Sequence, residues 1–133
     1  MNNEGNDFFT VVGCMDGRVQ WPVAMYGKDK FEARFPDTIT EAGIVGIIAS
    51  DPKPEFVENL KLKLLVSLDK HHSKGIVVDG HEKCAGNPVD NDKHKEDIKK
   101  SVDFISLLIE NKVPVVGVFV VDKDDKWVAE EIS

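Results

Sequence analysis

Two cysteines among 133 residues are too few for a disulfide framework, and the first residues show no basic segment running into an apolar one. No secretory signal is expected, the thiols are expected to stay reduced, and a cytoplasmic location follows. No apolar run approaches the ~18 residues of a membrane span. The longest, "AGIVGIIA" and "VPVVGVFVV", suit buried elements of a packed core. Basic residues are also in the minority: 17 lysines and arginines stand against 24 acids, for a net charge of −7, and the two signs are interleaved. An acidic chain without a basic stripe argues against nucleic acid and anionic membranes as partners. Even "NDKHKEDIKK" alternates its lysines with acids and reads as a solvated helix face. Three further chemistries lack their signature. "AGIVG" spaces its glycines wrongly for a dinucleotide-binding turn, and neither cysteine stands in Cys-x-x-Cys. Gln20 occupies the place where a phosphate-binding Cys-x₅-Arg loop would need arginine.

What is present is ordinary for a packed domain. Hydrophobic residues make up 41% and charged residues 31%, and a chain of this length can bury a core without staples. Residues 1–133 are read as one domain, with "MNNEGN" (1–6) as a flexible start. No repeat, low-complexity tract or linker interrupts it. Apolar strand-like runs alternate with segments of helical period, the pattern of an α/β fold on a mostly parallel sheet.

"DFFTVVGC" (7–14) reads as a first strand, buried on both faces. Residues 15–36 show no sustained period and read as a long loop, with at most a short helix near Pro22. Loops of that length in a compact domain are often functional. "DTITEAG" (37–43) is a candidate short strand, and "IVGIIAS" a strand-to-helix junction or short helix. In "KPEFVENLKLKLLVSLDKHH", Phe56, Leu60, Leu64 and Leu68 recur every fourth position, and Pro54 suits a first turn. "KGIVVDGH" (74–81) is a second buried strand. "NDKHKEDIKKSVDFISLLIEN" (91–111) is an amphipathic helix through Ile98, Val102, Ile105 and Leu108 or Ile109. "VPVVGVFVVD" (113–122) is a third strand. The tail is too short to assign, a last strand or a segment docked through Trp127 and Val128.

Chemically capable side chains gather just past strand ends. The first strand runs into "CMDGR", with Cys14, Asp16 and Arg18, and the second into "GHEKC", with His81 and Cys84. Ligands of open parallel sheets sit beyond the carboxyl ends of the strands. Two neighbouring strands would bring Cys14 to His81 and Cys84, which follow it by 67 and 70 positions. Two thiolates and an imidazole make a good zinc shell, and three protein ligands leave a fourth position open, as in catalytic sites. Each motif alone is a weak signal, since free cysteine often packs as a small hydrophobe. Their joint placement at two buried strand ends gives them weight. Arg18 can hold Asp16 in a bidentate pair that keeps the carboxylate ionised beside a thiolate. A carboxylate so held can orient a zinc-bound water; an ordinary loop ion pair is the alternative. His71, His72 and His94 lie on helices or at their ends and read as solvent-facing.

Together, Cys14-Met-Asp16-Gly-Arg18 and His81-Glu-Lys-Cys84 resemble the Cys-x-Asp-x-Arg and His-x-x-Cys motifs of the β-class carbonic anhydrases. "EAGIVG" resembles that family's Arg-Asn-Ala-Gly segment at Ala42 and Gly43, and the likeness spans roughly residues 8 to 121. The resemblance implies a Rossmann-like three-layer α/β fold, with a mainly parallel sheet of about four strands flanked by helices. It implies Zn2+ on Cys14, His81 and Cys84, a catalytic dyad of Asp16 and Arg18, and substrate contacts at Ala42 and Gly43. The implied reaction is reversible hydration of CO2 to bicarbonate and a proton by zinc-bound hydroxide, a lyase reaction. A homodimer or larger homo-oligomer is implied too. In some members the aspartate swings onto the zinc, and Asp16 is the residue that could do so here.

The chain departs from the family pattern at defined places. Thr40 and Glu41 stand before Ala42 where Arg-Asn is usual, Gly17 replaces a serine, and Ala85 replaces a glycine. If Glu41 turned toward the metal, it would block the open position or repel bicarbonate. That leaves a zinc-binding module without catalysis as an alternative, and a hydrolase of a CO2-like molecule such as COS or CS2 as another. A domain with two core cysteines and no metal is the plainest alternative.

Overall fold

The computed structural model describes residues 7–133, so the flexible start expected at 1–6 lies outside the described residues. Five strands, β1 (Phe8–Gly13), β2 (Phe35–Thr40), β3 (Ile76–His81), β4 (Val115–Lys123) and β5 (Lys126–Glu131), form one sheet. Four helices accompany them: α1 (Gln20–Phe31), α2 (Ile44–Ala49), α3 (Pro54–Leu65) and α4 (Asn91–Leu108). The sheet order is β2-β1-β3-β4-β5. The first four strands are parallel, and β5 returns antiparallel on β4. The α/β class and parallel sheet expected from sequence are present, with β5 as a fifth strand, one of the two readings left open for the tail.

Strand alternation divides the core into two layers. Phe9, Val11, Val77, Val118 and Val120 pack with Val19 and Val23 of the α1 region. Val12, Ile76, Val78 and Phe119 project to the other face and pack under α2, α3 and α4. Ile44, Val45 and Ile48 are buried there, so "AGIVGIIA" belongs to the core. The chain moves from β1 outward to β2, then back across β1 to β3. That reversal sets the carboxyl ends of β1 and β3 side by side, where ligands of open parallel sheets bind.

Three sequence expectations are corrected. Residues 15–36 are not a long loop, because Gln20–Phe31 is a helix of 12 residues. Its inward stripe is Val19, Val23 and Gly27, and a Cβ on Gly27 would come within 2.1 Å of the Phe9 ring. A stripe whose last member must be glycine carries little apolar period. Pro22 lies in the first turn, where its missing N–H costs nothing. The helix expected to run to residue 72 ends at Leu65, followed by a π-helical turn at Val66–Lys70. This wider turn brings Ser67 Oγ within 2.7 Å of Thr10 Oγ1 and His71 Nδ1 within 2.7 Å of Asp37. Finally, His94 is not solvent-facing but 2% exposed. It continues the inward stripe of Ile98, Val102 and Ile105 into a charged first turn, where hydropathy does not mark it. Gly80 beneath it leaves the room: a Cβ there would lie 2.5 Å from His94 Nε2. His71 is half-buried and His72 exposed. Among the described residues no helix is long and apolar enough to cross a membrane.

Candidate metal centre

The register of β1 with β3, Val11 opposite Val77 and Val12 opposite Val78, brings the ends of the two strands together. Cys14 is the first residue past β1 and His81 the last of β3. Past His81, Lys83 adopts φ 57°, a left-handed turn that folds the chain back and returns Cys84 toward Cys14 and His81. One ligating atom from each of Cys14, His81 and Cys84 lies within 4.8 Å of the others, and all three residues are buried. The two Sγ atoms are 3.8 Å apart and both thiols are free.

The chemistry of the donors fits a zinc ion. His81 Nδ1–H donates to the Glu82 carbonyl at 2.7 Å, which fixes the tautomer and leaves the Nε2 lone pair bare. Nε2 is buried and has no hydrogen-bond partner among the described residues. Cys14 Sγ accepts the Gly43 N–H at 3.4 Å, a contact suited to a thiolate. Gly43 has φ +60°, and a Cβ there would come within 2.4 Å of the Gly86 backbone, so only glycine carries that N–H to the sulfur. Burial alone would raise the Cys14 thiol; His81 and the N–H groups of Gly43 and Asp16 outweigh it and bring it down to about 7. Burial and the neighbouring Cys14 charge push Cys84 up. Burial opposes the charged form of His81, but Cys14 and the Glu82 carbonyl outweigh it and raise its pKa.

Asp16 and Arg18 stand beside these three residues. Arg18 donates through Nε to Asp16 Oδ1 at 3.0 Å and through its terminal nitrogen to Oδ2 at 2.7 Å. Its backbone N–H adds a third bond to Oδ1 at 2.8 Å. This clamp holds the Asp16 carboxyl down to about 2, against a smaller upward push from burial. Asp16 Oδ2 lies 3.9 Å from His81 Nε2. The motif residues are therefore together: Cys14, Asp16, Arg18, His81 and Cys84. Gly43 joins through its N–H. Ala42 packs beside Gly86, whose Cβ, if present, would sit 3.0 Å from the Ala42 methyl. Thr40 and Glu41 are exposed and line a cleft of about 270 Å³ with Glu55, Asn59 and Lys63. Glu41 is not among the clustered ligating residues.

Supporting residues were missed in sequence. Asp79, 2% exposed, accepts the Cys14 N–H on Oδ1 at 3.1 Å, and burial pushes its carboxyl up to about 7. An acid inside the apolar run "IVVDGH" is the signal that could have found it. Gln20 Nε2 donates to the carbonyls of Cys14 and Asp16, both at 2.8 Å, and ties the loop to α1. Glu82 accepts the Asp122 N–H at 2.8 Å and Lys83 pairs with Asp122 at 2.8 Å, which pins the His81–Cys84 turn to β4.

A family model described as "Putative carbonic anhydrase" matches residues 4–133. The chain belongs to that carbonic anhydrase family. Its fold is shared with solved carbonic anhydrases at low identity. Isoform I from Trichomonas vaginalis is 18% identical with a TM-score of 0.57, covering 97% of this chain and 85% of that one. Carbonic anhydrase from Glaciozyma antarctica is 18% identical at 0.58, covering 94% and 82%. The β-carbonic anhydrase CafA of Aspergillus fumigatus is 13% identical at 0.58, covering 96% and 76%. These likenesses establish the architecture; no curated protein matches the chain. For this carbonic anhydrase family member, the site chemistry rests on its own residues.

Proposed function

We propose that this protein is a zinc-dependent carbonic anhydrase that hydrates CO2 reversibly to bicarbonate and a proton. One observation carries the reading: a bare, buried His81 Nε2 grouped with two thiols beside an arginine-clamped aspartate. Cys14, His81 and Cys84 would hold the zinc. Zinc bound there supplies a water acidified toward neutrality, the nucleophile for CO2. Asp16 stays ionised because Arg18 occupies both its oxygens. Oδ2 keeps a lone pair free on the side of His81, so it can take a hydrogen bond from the reacting water and orient it. The Gly43 N–H balances charge on Cys14. In this reading Ala42 and Gly43 also border the substrate, and the protein is a homodimer or larger homo-oligomer, which sedimentation measures.

The alternative of a zinc module without catalysis rests on Thr40 and Glu41. The exposed position of Glu41, outside the ligating cluster, favours the active reading. Zinc analysis with stopped-flow CO2 hydration decides between them, with COS and CS2 assayed alongside as competing substrates. The expected result is about one zinc per chain with activity. Cys84→Ser should lose the metal. Asp16→Asn should keep it and lose about 100-fold in rate, the lower range for a lost acid–base group. Protein purified without zinc, or Asp16→Asn at full rate, would refute the proposal.

A further inference from the structure

β5 reaches the site from a direction that neither ligand motif supplies. Trp127 pairs with Asp122 across the β4–β5 hairpin, and its indole meets the His81 ring at 6.3 Å in an edge arrangement of 68°. Over the face of the same indole lies the Arg18 guanidinium, 4.5 Å from the ring centroid. Asp16 has both oxygens on the Arg18 guanidinium while the Arg18 N–H holds Oδ1 alone, so the guanidinium sets where Oδ2 points. Arg18 itself has few anchors. Its side chain is 45% exposed, and beyond Asp16 it makes one hydrogen bond among the described residues, to the Lys83 carbonyl at 3.2 Å. An exposed ion pair of two neighbouring residues is weak against water and rotamer freedom. A planar cation laid on an aromatic face is shielded on one side and restricted to one plane. Lys83 is in turn clamped to Asp122, the residue opposite Trp127, so the same hairpin carries both anchors of Arg18.

We propose that Trp127 is a positioning residue of this site. Its indole face fixes the Arg18 guanidinium, and through it holds the Asp16 carboxylate beside the three ligating residues. The contact stands on geometry alone; its consequence for rate rests on the function proposed above.

Arg18 and Arg34 are the only arginines in the chain, so two Nε–H signals are expected by 15N NMR, and Arg34→Lys assigns them. In the zinc-loaded protein the Arg18 Nε–H should exchange slowly with solvent. Trp127→Leu should speed that exchange about fivefold, as expected for loss of an ordinary cation–π contact, and Trp127→Phe about twofold. The kcat for CO2 hydration should fall by a similar factor in Trp127→Leu, with KM little changed. Should the leucine variant not fold, the phenylalanine variant decides alone, since it keeps an aromatic ring on the strand. Wild-type exchange rates in every folded variant would overturn the proposal. Zinc content and activity of the wild type are measured on the same samples. A wild type without either sinks the proposed function, yet the exchange comparison still decides the role of Trp127.

Discussion

A buried imidazole nitrogen without a partner is costly unless something occupies its lone pair. Among the described residues His81 Nε2 is such an atom, grouped with two thiols at the proposed zinc site. His94 Nε2 is the other among the described residues, and it has a different meaning. The ring lies against Gly80 and edge-on to Phe119, with centroids 5.6 Å apart, and no thiol completes a ligand set around it. Burial first, and the positive charge of His81 second, hold His94 down to about 4, with Asp97 opposing them. Its folded pKa is thus depressed below the unfolded value of about 6.5. The neutral ring contributes its stability above pH ~6.5, and that contribution is lost as pH falls through about 4. In metal-free protein, urea unfolding near pH 4 should show about 3 kcal/mol less stability from this group than near pH 7. His94→Leu should remove that part of the slope; an unchanged slope would show that the histidine is already charged in the fold. Cys14, Asp16, Arg18, His81 and Cys84 were legible in sequence because each lies in a short local motif. Asp79, Gln20 and His94 were not, because each acts on a residue brought to it by another element.

At the scale of elements, what stayed hidden was whatever draws its stability from a distant partner. α1 packs through a glycine on Phe9, so its apolar period is faint. β5 is short and half-exposed, and antiparallel pairing with β4 makes it a strand. The π-helical turn after α3 depends on contacts across the sheet. Asp37 Oδ2 accepts Ser67 Oγ–H and His71 Nδ1, each at 2.7 Å, and His71 stacks on Phe8 at 4.2 Å. The turn thereby pins β2, an edge strand whose residues are mostly exposed. β2 depends on such pinning because, among the described residues, only β1 pairs with it. His71→Ala should cost about 1–2 kcal/mol, the usual loss for one hydrogen bond to a partly buried acid plus its packing. A lower urea midpoint and faster amide exchange in β2 would report it. Zinc content should not change, because Asp37 pairs with Thr10, toward the start of β1 and away from Cys14. Metal loss in this variant would mean that β2 supports the ligand loop more directly than these contacts indicate.

For the molecule as a whole, alternation of strands and helices made the parallel sheet readable, but strand order was not. Neighbouring β1 and β3 were inferred from chemistry, since only adjacency lets Cys14 meet His81 and Cys84. The observed order supplies it at the point where the chain reverses direction across the sheet. That geometry has a thermodynamic consequence. The three residues proposed to hold zinc come from the end of β1, the end of β3 and the turn beyond, 67 and 70 positions apart, and have no reason to meet in the unfolded chain. A metal bound there favours the folded state by mass action, by about 2.7 kcal/mol at a free concentration a hundredfold above Kd. For a chain of this size that is roughly 5–15 °C in Tm. A strong chelator should therefore lower the melting temperature by that amount, and zinc added back should restore it. Cys84→Ser, lacking one ligand, should melt near the chelated wild type and respond little to either treatment. Equal melting of chelated and zinc-loaded wild type would show that the three donors do not bind metal as one set.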